Sequence, residues 1–245
     1  MSGIRVAALY DIHANMPALE AVLADVERAG ADLVLVGGDI AWGPMPRETL
    51  ARILALGERV QLIRGNADRE VAARAGEREG LDPLTASVNL WCADQLEPRE
   101  LDCLAKLPER LTIDLAGLGS TLFCHGSPRA DDEPITQATS ERLLREMLEG
   151  VREAVVVCGH THAQFIRTVD GTTLVNPGSV GLPFGDPGAY WALLGPAVDL
   201  RRTTYDVEAA AALIQASGCP RAAELADHVL RPPPWSTADE LFTRG

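Results

Sequence analysis

The sequence predicts an α/β fold built on a mainly parallel sheet, against which a second sheet closes. Two observations carry this prediction. Over the first 63 residues, short β-branched apolar runs alternate with segments of helical periodicity, as in a parallel sheet with helices on its faces. Beyond residue 162, short apolar segments separated by turns favour antiparallel pairing.

Three strands and two helices make up the first part of this pattern. We predict short apolar strands at residues 4–9, 32–36 and 60–63. The first helix begins at Pro17 and ends at Gly30, because proline suits a first helical turn and glycine a helix end. Apolar residues repeat at helical spacing in both helices, namely Leu19, Val22, Leu23 and Val26, then Leu50, Ile53, Leu54 and Leu56.

The strand pattern stops between residues 69 and 106. This stretch is polar, rich in Ala and Glu and without a convincing strand, so we predict a helical cap insertion of two or three helices over 69–106. Strands return at residues 111–115, 121–124 and 154–158, with an amphipathic helix at 139–148.

The later strands are short and closely spaced, at residues 165–169, 172–175, 190–194 and 198–205. Two helices follow, at residues 206–216 and 222–230. The segment that starts with three prolines at 232–234 is typical of a stiff exposed tail or a partner contact. With no internal repeat and no domain-sized linker, we predict one domain over 1–245, in which 206–245 forms C-terminal helices and a tail.

The composition is that of an ordinary globular protein, with 47% hydrophobic and 23% charged residues among 245. The formal net charge of −13 argues against an extended nucleic-acid surface, which needs clustered Lys and Arg. A phosphate substrate is compatible with this charge, because a metal site supplies positive charge locally. No run approaches the roughly 18 apolar residues of a membrane span, so we expect no membrane association.

The five cysteines are odd in number, scattered and without a Cys-x-x-Cys pair. Cys124 and Cys158 lie in apolar strand-like runs, where a reduced buried thiol is expected. The first six residues run directly into a strand and carry no signal-peptide pattern. We therefore expect a protein of the reducing cytoplasm.

Side chains of the types that bind metals recur after five of the predicted strands. In open α/β sheets, ligands bind at the carboxyl ends of strands. Oxygen and imidazole donors together suit a divalent ion such as manganese, iron or zinc. A single aspartate or asparagine there is explained as a turn residue, but recurrence in order favours a metal centre. The set is Asp11, His13, Asp39, Asn66, His125, His160 and His162, which leaves only His228 among five histidines.

At these positions the sequence resembles the calcineurin-like metallophosphoesterases, over roughly residues 4–205. The matching motifs are Asp11-x-His13, Gly38-Asp39, Gly65-Asn66, His125 and Gly159-His160-Thr161-His162. Two further segments are similar to the small bacterial and archaeal phosphodiesterase branch, namely His125-Gly126-Ser127-Pro128-Arg129 and Asn176-Pro177-Gly178-Ser179. The resemblance implies a four-layer αββα sandwich, in which two packed mixed sheets are flanked by helices.

The resemblance also implies a role for each donor. By it, Asp39 bridges two divalent ions, of which one is bound by Asp11, His13 and His162 and the other by Asn66, His125 and His160. Two metals about 3.5–4 Å apart can hold a bridging hydroxide as nucleophile and stabilise the phosphoryl oxygens. Asp39, Asn66 and His125 are therefore the expected catalytic residues. We expect manganese, with iron, zinc, nickel or cobalt as alternatives.

Three residues of the family pattern are changed. Ala67 stands where many members have the histidine that is thought to protonate the leaving group, so the source of this proton is open. Ala14 and Tyr10 stand where Gly and Ser are frequent, and we expect both to adjust packing.

Substrate-binding candidates lie outside the ligand set. A guanidinium matches a phosphate bidentately, which favours Arg64 and Arg129, although a surface salt bridge explains each equally well. Trp42 could stack a base, although a hydrophobic lid contact is the better supported role. Arg69 belongs to the cap or pairs with Asp68.

Together these features predict a two-metal-dependent phosphoesterase that cleaves phosphodiester or nucleotide-type phosphate bonds. The enzymatic alternatives are a phosphomonoesterase and a dinucleoside polyphosphate hydrolase. A non-catalytic scaffold of the same fold is expected to lose metal ligands, whereas all seven positions hold suitable donors. The expected partner is a small phosphorylated substrate such as a nucleotide, and the apolar C-terminal helices and Trp235 would allow a homodimer.

Overall fold

The computed structural model describes residues 4–242, so the first three residues and the end of the predicted tail, residues 243–245, lie outside the described part of the chain. The strands are β1 (Val6–Leu9), β2 (Leu33–Val36), β3 (Val60–Leu62), β4 (Arg110–Leu115), β5 (Gly119–Cys124), β6 (Val155–Val157), β7 (Phe165–Val169), β8 (Thr172–Asn176), β9 (Ala189–Leu194) and β10 (Val198–Thr203). The helices are α1 (Met16–Ala29), α2 (Pro46–Leu54), α3 (Asn66–Ala72), α4 (Pro83–Gln95), α5 (Pro98–Ala105), α6 (Glu141–Met147), α7 (Val207–Ala216), α8 (Ala222–Leu230) and α9 (Trp235–Phe242).

The first sheet has the strand order β10-β9-β1-β2-β3. Its β1, β2 and β3 are parallel, with Val6 opposite Leu33, as the strand–helix alternation predicts. β9 runs antiparallel to β1, with Val6 opposite Leu194, and β10 runs antiparallel to β9. The prediction that all the late strands close the second sheet is therefore wrong for β9 and β10. They pair with β1 because its second edge would otherwise carry unpaired backbone groups.

The second sheet has the order β4-β5-β6-β8-β7. Its three central strands are parallel, and the outer strands β4 and β7 run antiparallel to their neighbours. Both sheets are therefore mixed.

Alternation along the strands produces four layers. In β1, Val6, Ala8 and the following Tyr10 face the second sheet, where Phe123 and Val157 lie. Ala7 and Leu9 face the opposite way, toward α1, α2, α4, α7 and α8. The outer face of the second sheet packs on α6 through a third cluster. This is the αββα sandwich that the resemblance implies.

Residues 69–106, predicted as a helical cap insertion, contain the end of α3, which already begins at Asn66, and the helices α4 and α5. Val88, Cys92 and Leu104 of this segment are buried in the same cluster as Leu19 of α1. The helices α4 and α5 thus continue the helical layer over the first sheet.

The segment predicted as a stiff exposed tail or a partner contact forms the helix α9, which contacts the rest of the protein. The Gly185 N–H donates to the Pro233 carbonyl at 2.8 Å. The Trp235 ring, considered above as a dimer contact, lies edge-on to Tyr190 of the same chain at 5.2 Å between centroids. Within residues 4–242, no helix is long and apolar enough to cross a membrane.

Candidate metal centre

The seven predicted ligands all lie just beyond strand ends. They are Asp11 and His13 after β1, Asp39 after β2, Asn66 after β3, His125 after β5, and His160 and His162 after β6. The first three strands belong to the first sheet and the other two to the second. The centre therefore lies where the two sheets meet at the carboxyl ends of their parallel strands.

Six of these residues form two groups, in each of which the candidate ligand atoms lie within 4.8 Å of one another. One group consists of Asp11, His13 and His162, and the other of Asp39, His125 and His160. The Asp39 carboxylate lies between them, with Oδ1 3.4 Å from Nε2 of His125 and Oδ2 3.7 Å from Nε2 of His13. Asn66, the first residue of α3, completes the seven.

Backbone carbonyls fix three of the four imidazoles. Nδ1 of His13 lies 3.2 Å from the Trp42 carbonyl oxygen, and Nδ1 of His125 lies 2.8 Å from that of Gly37. Nδ1 of His162 lies 2.7 Å from the carbonyl oxygen of Leu182. An N–H on each Nδ1 donates to its carbonyl, which leaves the lone pair of Nε2 directed into the centre.

Several atoms of the centre lack the partners that a buried polar atom normally has. Oδ1 of Asp11, Oδ1 of Asn66 and Nε2 of His125 are buried without a hydrogen-bond partner among the described residues. Nε2 of His13 lies 3.0 Å from Nε2 of His162, although both nitrogens direct lone pairs there. Two nitrogens bound at right angles to one ion at about 2.1 Å are about 3.0 Å apart. These atoms therefore fit divalent metal ions.

The charges of the centre favour the same conclusion. Burial alone would lower the pKa of His125, but the Asp39 and Asp11 carboxylates outweigh burial and raise this pKa to about 10. Burial, together with the neighbouring imidazoles, lowers the pKa of His13 and of His160 to about 4. Two buried carboxylates thus require positive charge beside them, and divalent ions would supply it in place of protons.

The loops that carry the ligands are strained. Five ligands have left-handed backbone conformations, with φ of 53° for Asp11, 47° for His13, 53° for Asp39, 63° for His160 and 56° for His162. Such a conformation costs a non-glycine residue about 1 kcal/mol or more, although Asp and His tolerate it better than most. Backbone strain that is concentrated in this way is typical of functional sites.

Asp68 ties two of these loops together and was not identified as a site residue from the sequence. Its Oδ1 accepts from the N–H groups of Ile40 at 2.8 Å and Ala41 at 3.2 Å, and its Oδ2 accepts from Gly65 N–H at 3.1 Å. Burial, and then the charge of Asp39, raise its pKa to about 6.

One of the two expectations for Arg69, that it pairs with Asp68, is wrong. Its Nε and Nη2 donate to the two carboxylate oxygens of Asp131, each at 2.9 Å. This bidentate pair joins α3 to the loop that follows His125.

The predicted substrate-binding residues make contacts within the protein. Arg129 pairs with Glu133, and Nη2 of Arg64 donates to Glu109 at 2.8 Å. These are the salt bridges considered above as the alternative. Trp42 is buried, and its ring lies edge-on to that of His13 at 5.4 Å between centroids. This packing is compatible with the expected hydrophobic lid contact.

Two phenylalanines next to the ligands were missed in the sequence. The Phe184 ring lies 6.4 Å from that of His162, and the Phe242 ring lies 5.5 Å from that of His160. Neither residue belongs to a strand-end motif, so no local signal indicated them. His228, expected to lie outside the centre, belongs to neither ligand group, and its Nε2 lies 2.8 Å from the Pro183 carbonyl oxygen.

Known proteins share this sequence pattern and this fold. The uncharacterized protein MJ0912 of Methanocaldococcus jannaschii is 27% identical over 199 residues, which cover 73% of this chain and 76% of that protein. A metallophosphoesterase from Sphaerobacter thermophilus is 28% identical, with a TM-score of 0.72 over 93% of this chain and 98% of its own. The hypothetical protein PH1004 from Pyrococcus horikoshii OT3 has the same fold, with 21% identity and a TM-score of 0.80 over 92% of this chain and 98% of its own.

A family model covers most of the chain as well. The model described as the Calcineurin-like phosphoesterase superfamily domain matches residues 4–195, a stretch that contains all seven candidate ligands. The chain therefore belongs to the calcineurin-like phosphoesterase superfamily.

Proposed function

We propose that the protein is a two-metal-dependent phosphoesterase that hydrolyses phosphodiester or nucleotide-type phosphate bonds. The observation that carries the proposal is the pair of ligand groups with the Asp39 carboxylate between them. A single group would serve one ion, whereas a carboxylate shared by two groups suits a pair.

In this proposal each donor has a defined task. Asp39 would serve both ions, of which one would be held by Asp11, His13 and His162 and the other by Asn66, His125 and His160. When bound, such a metal pair, manganese in our proposal, supplies an activated water as nucleophile and positive charge for the phosphoryl oxygens. The chain keeps the donors in position through the Nδ1 hydrogen bonds of its histidines and through Asp68.

The exposure of the ligands indicates where the substrate enters. Asp11, Asp39 and His125 are buried, whereas Asn66, His160 and His162 remain partly exposed. We infer that a phosphate enters from this partly exposed side, where His160 and His162 lie. The buried carboxylates of Asp11 and Asp39 would hold the ions on the closed side of the centre.

The choice of substrate class rests on Ala67. Its methyl group cannot donate a proton to the leaving oxygen, so esters whose leaving group is stable as an anion are favoured. Aryl esters and nucleotide anhydrides have such leaving groups, whereas simple alkyl phosphates do not. A phosphomonoesterase is the second candidate, and all seven donors give a catalytic role more support than a scaffold role.

The cysteines support a cytoplasmic location for this enzyme. All five are free, and Cys92, Cys124, Cys158 and Cys219 are buried. A reducing compartment keeps such thiols reduced.

A hydrolysis screen tests the proposal. The metal-stripped protein is reloaded with manganese and assayed on bis-p-nitrophenyl phosphate, p-nitrophenyl phosphate, cyclic nucleotides and diadenosine polyphosphates. We expect the activated diester to be cleaved fastest, with activity lost on chelation and restored by manganese. Failure to cleave any of these esters with two equivalents of metal bound would overturn the proposal.

A further inference from the structure

The C-terminal helix α9 brings an aromatic side chain to the metal centre. The Phe242 ring lies 5.5 Å from that of His160, at an interplanar angle of 56°. Phe242 is partly buried, whereas the adjacent Leu241 is 63% exposed. The face of α9 that is turned toward the protein thus ends in an aromatic ring beside a candidate ligand.

Specific contacts hold α9 in this position. The Trp235 ring packs over Gly185, where φ is +91° and an added Cβ would lie 2.2 Å from the indole. The Ala138 N–H donates to Oδ1 of Asp239 at 3.3 Å, which links α9 to the segment before α6. Phe242 is therefore placed by the fold.

A cavity of about 410 Å³ opens beside Phe242, between α9 and α6. Small-molecule sites of about 300–1,000 Å³ are typically lined by apolar side chains with a few polar groups. The lining follows this pattern, with Glu133, Pro134, Ala138, Thr139, Ser140, Leu143, Met147 and Phe242. It contains no Lys or Arg, and its one carboxylate, that of Glu133, is paired with Arg129.

We propose that Phe242 and this cavity bind the organic group of the phosphoester, and that this group is neutral and flat, such as an aryl ring or a base. The inference rests on the proposed function, since it places the phosphate at the metal centre beside His160. A group attached to that phosphate then reaches the Phe242 ring, which offers a stacking surface. Because no Lys or Arg lines the cavity, a chain of further phosphates could not form an ion pair there.

A pair of diesters with one leaving group tests this subsite. Methyl p-nitrophenyl phosphate and phenyl p-nitrophenyl phosphate differ only in the group that stays on phosphorus. We expect the manganese-loaded protein to prefer the phenyl ester by up to about tenfold in kcat/KM, which is the upper end of what one aromatic contact contributes. Phe242→Ala should lower kcat/KM for the phenyl ester and leave kcat/KM for the methyl ester unchanged, so that most of the preference is lost. Phe242→Tyr should retain the preference.

Leu241→Ala is the matched control, because its side chain is exposed on the same helix turn. It should leave the preference and the metal content unchanged. Equal kcat/KM for both esters in the unmodified protein would overturn the inference. So would a rise for both esters in Phe242→Ala, since that result would make Phe242 a plug over the site.

Calorimetric binding of phenyl phosphate and methyl phosphate separates this inference from the proposed function. The metal-loaded protein should bind phenyl phosphate several-fold more tightly, and Phe242→Ala should abolish the difference. If no ester is hydrolysed but this binding difference is found, the proposed function fails and the subsite stands. Equal binding of the two phosphates overturns the subsite whether or not the protein is an enzyme.

Discussion

The ring of Tyr10 occupies the space that a side chain on Gly37 would need. A Cβ added at Gly37 would lie 2.0 Å from Cε1 of Tyr10, and one added at Gly159 would lie 2.4 Å from its Cδ1. Tyr10 is fully buried, and its hydroxyl donates to the Val157 carbonyl at 3.1 Å. The ring therefore fills the gap between the ends of β2 and β6, directly behind the ligand loops.

Gly37→Ala should accordingly lower the free energy of unfolding by about 1–3 kcal/mol, the usual cost of overpacking a core. Adding Tyr10→Ser should make the double variant less destabilised than the sum of the single changes, because the serine leaves room for the methyl group. Urea unfolding of the four proteins measures this coupling. Gly76→Ala, where the nearest atom is 3.8 Å from the added Cβ, serves as the control. Additive effects would contradict the steric interpretation.

Asp39→Asn should abolish turnover with the fold intact. The amide is neutral and loses the charge that both ligand groups face at 3.4 and 3.7 Å. Metal analysis should find reduced occupancy, and hydrolysis of bis-p-nitrophenyl phosphate should fall to background. Asp114→Asn, an exposed change on β4, is the control and should behave as the unmodified protein. Normal turnover by a folded Asp39→Asn protein would falsify the two-metal assignment.

Removal of metal should lower the midpoint of thermal unfolding. The unpartnered atoms of Asp11, Asn66 and His125 then stay buried without a ligand, and the strained loops lose their compensation. An ion present at a hundredfold its Kd stabilises the folded state by about 2.7 kcal/mol. Calorimetric scans with chelator and with added manganese measure the shift. An unchanged midpoint after complete metal removal would show that these donors do not bind the ion.

The rate should depend steeply on the pKa of the leaving group. A positioned general acid is worth about 10²–10⁴ in rate, and Ala67 cannot provide it. Asp68, next in sequence, is fully buried and accepts three backbone N–H groups. A series of aryl and alkyl phosphodiesters under manganese measures the slope. A flat plot would mean that another group supplies the proton.

His228→Ala should leave metal content and rate nearly unchanged, but it should alter the acid sensitivity of the fold. Burial lowers the pKa of His228 from its ordinary value of 6.5. As the pH falls below 6.5, the unfolded chain binds this proton first, so the free energy of unfolding decreases. Without His228, stability should fall less steeply below pH 6.5, as unfolding of the metal-loaded protein at several pH values would measure. Identical slopes, or the loss of one metal, would contradict this account.

The convergence of the candidate ligands could be predicted because these residues share one local signal. Each follows a short apolar strand, and parallel strands that end at the same edge bring such residues together. No such local signal in the sequence indicates which sheet each of the late strands joins. The hairpin of β9 and β10 has the same pattern whether it extends the first sheet or the second, so only the free edge of β1 decides its position.

Phe242 and Arg69 show a second limit of the sequence. Phe242 reaches His160 because Trp235 docks at Gly185, a contact between residues 50 apart in sequence. Arg69 of α3 likewise pairs with Asp131, which lies 62 residues further along the chain. Both depend on the finished packing, and neither side chain lies in a periodic pattern or a motif.

The pairing of β1 with β9 sets an order of events during synthesis. β1 leaves the ribosome early, yet its antiparallel neighbour begins only at Ala189. Until then one edge of β1 has no strand beside it. Contacts so distant in sequence slow folding and leave a nascent chain open to wrong pairing. This edge of β1 is therefore open to wrong pairing until β9 has been made.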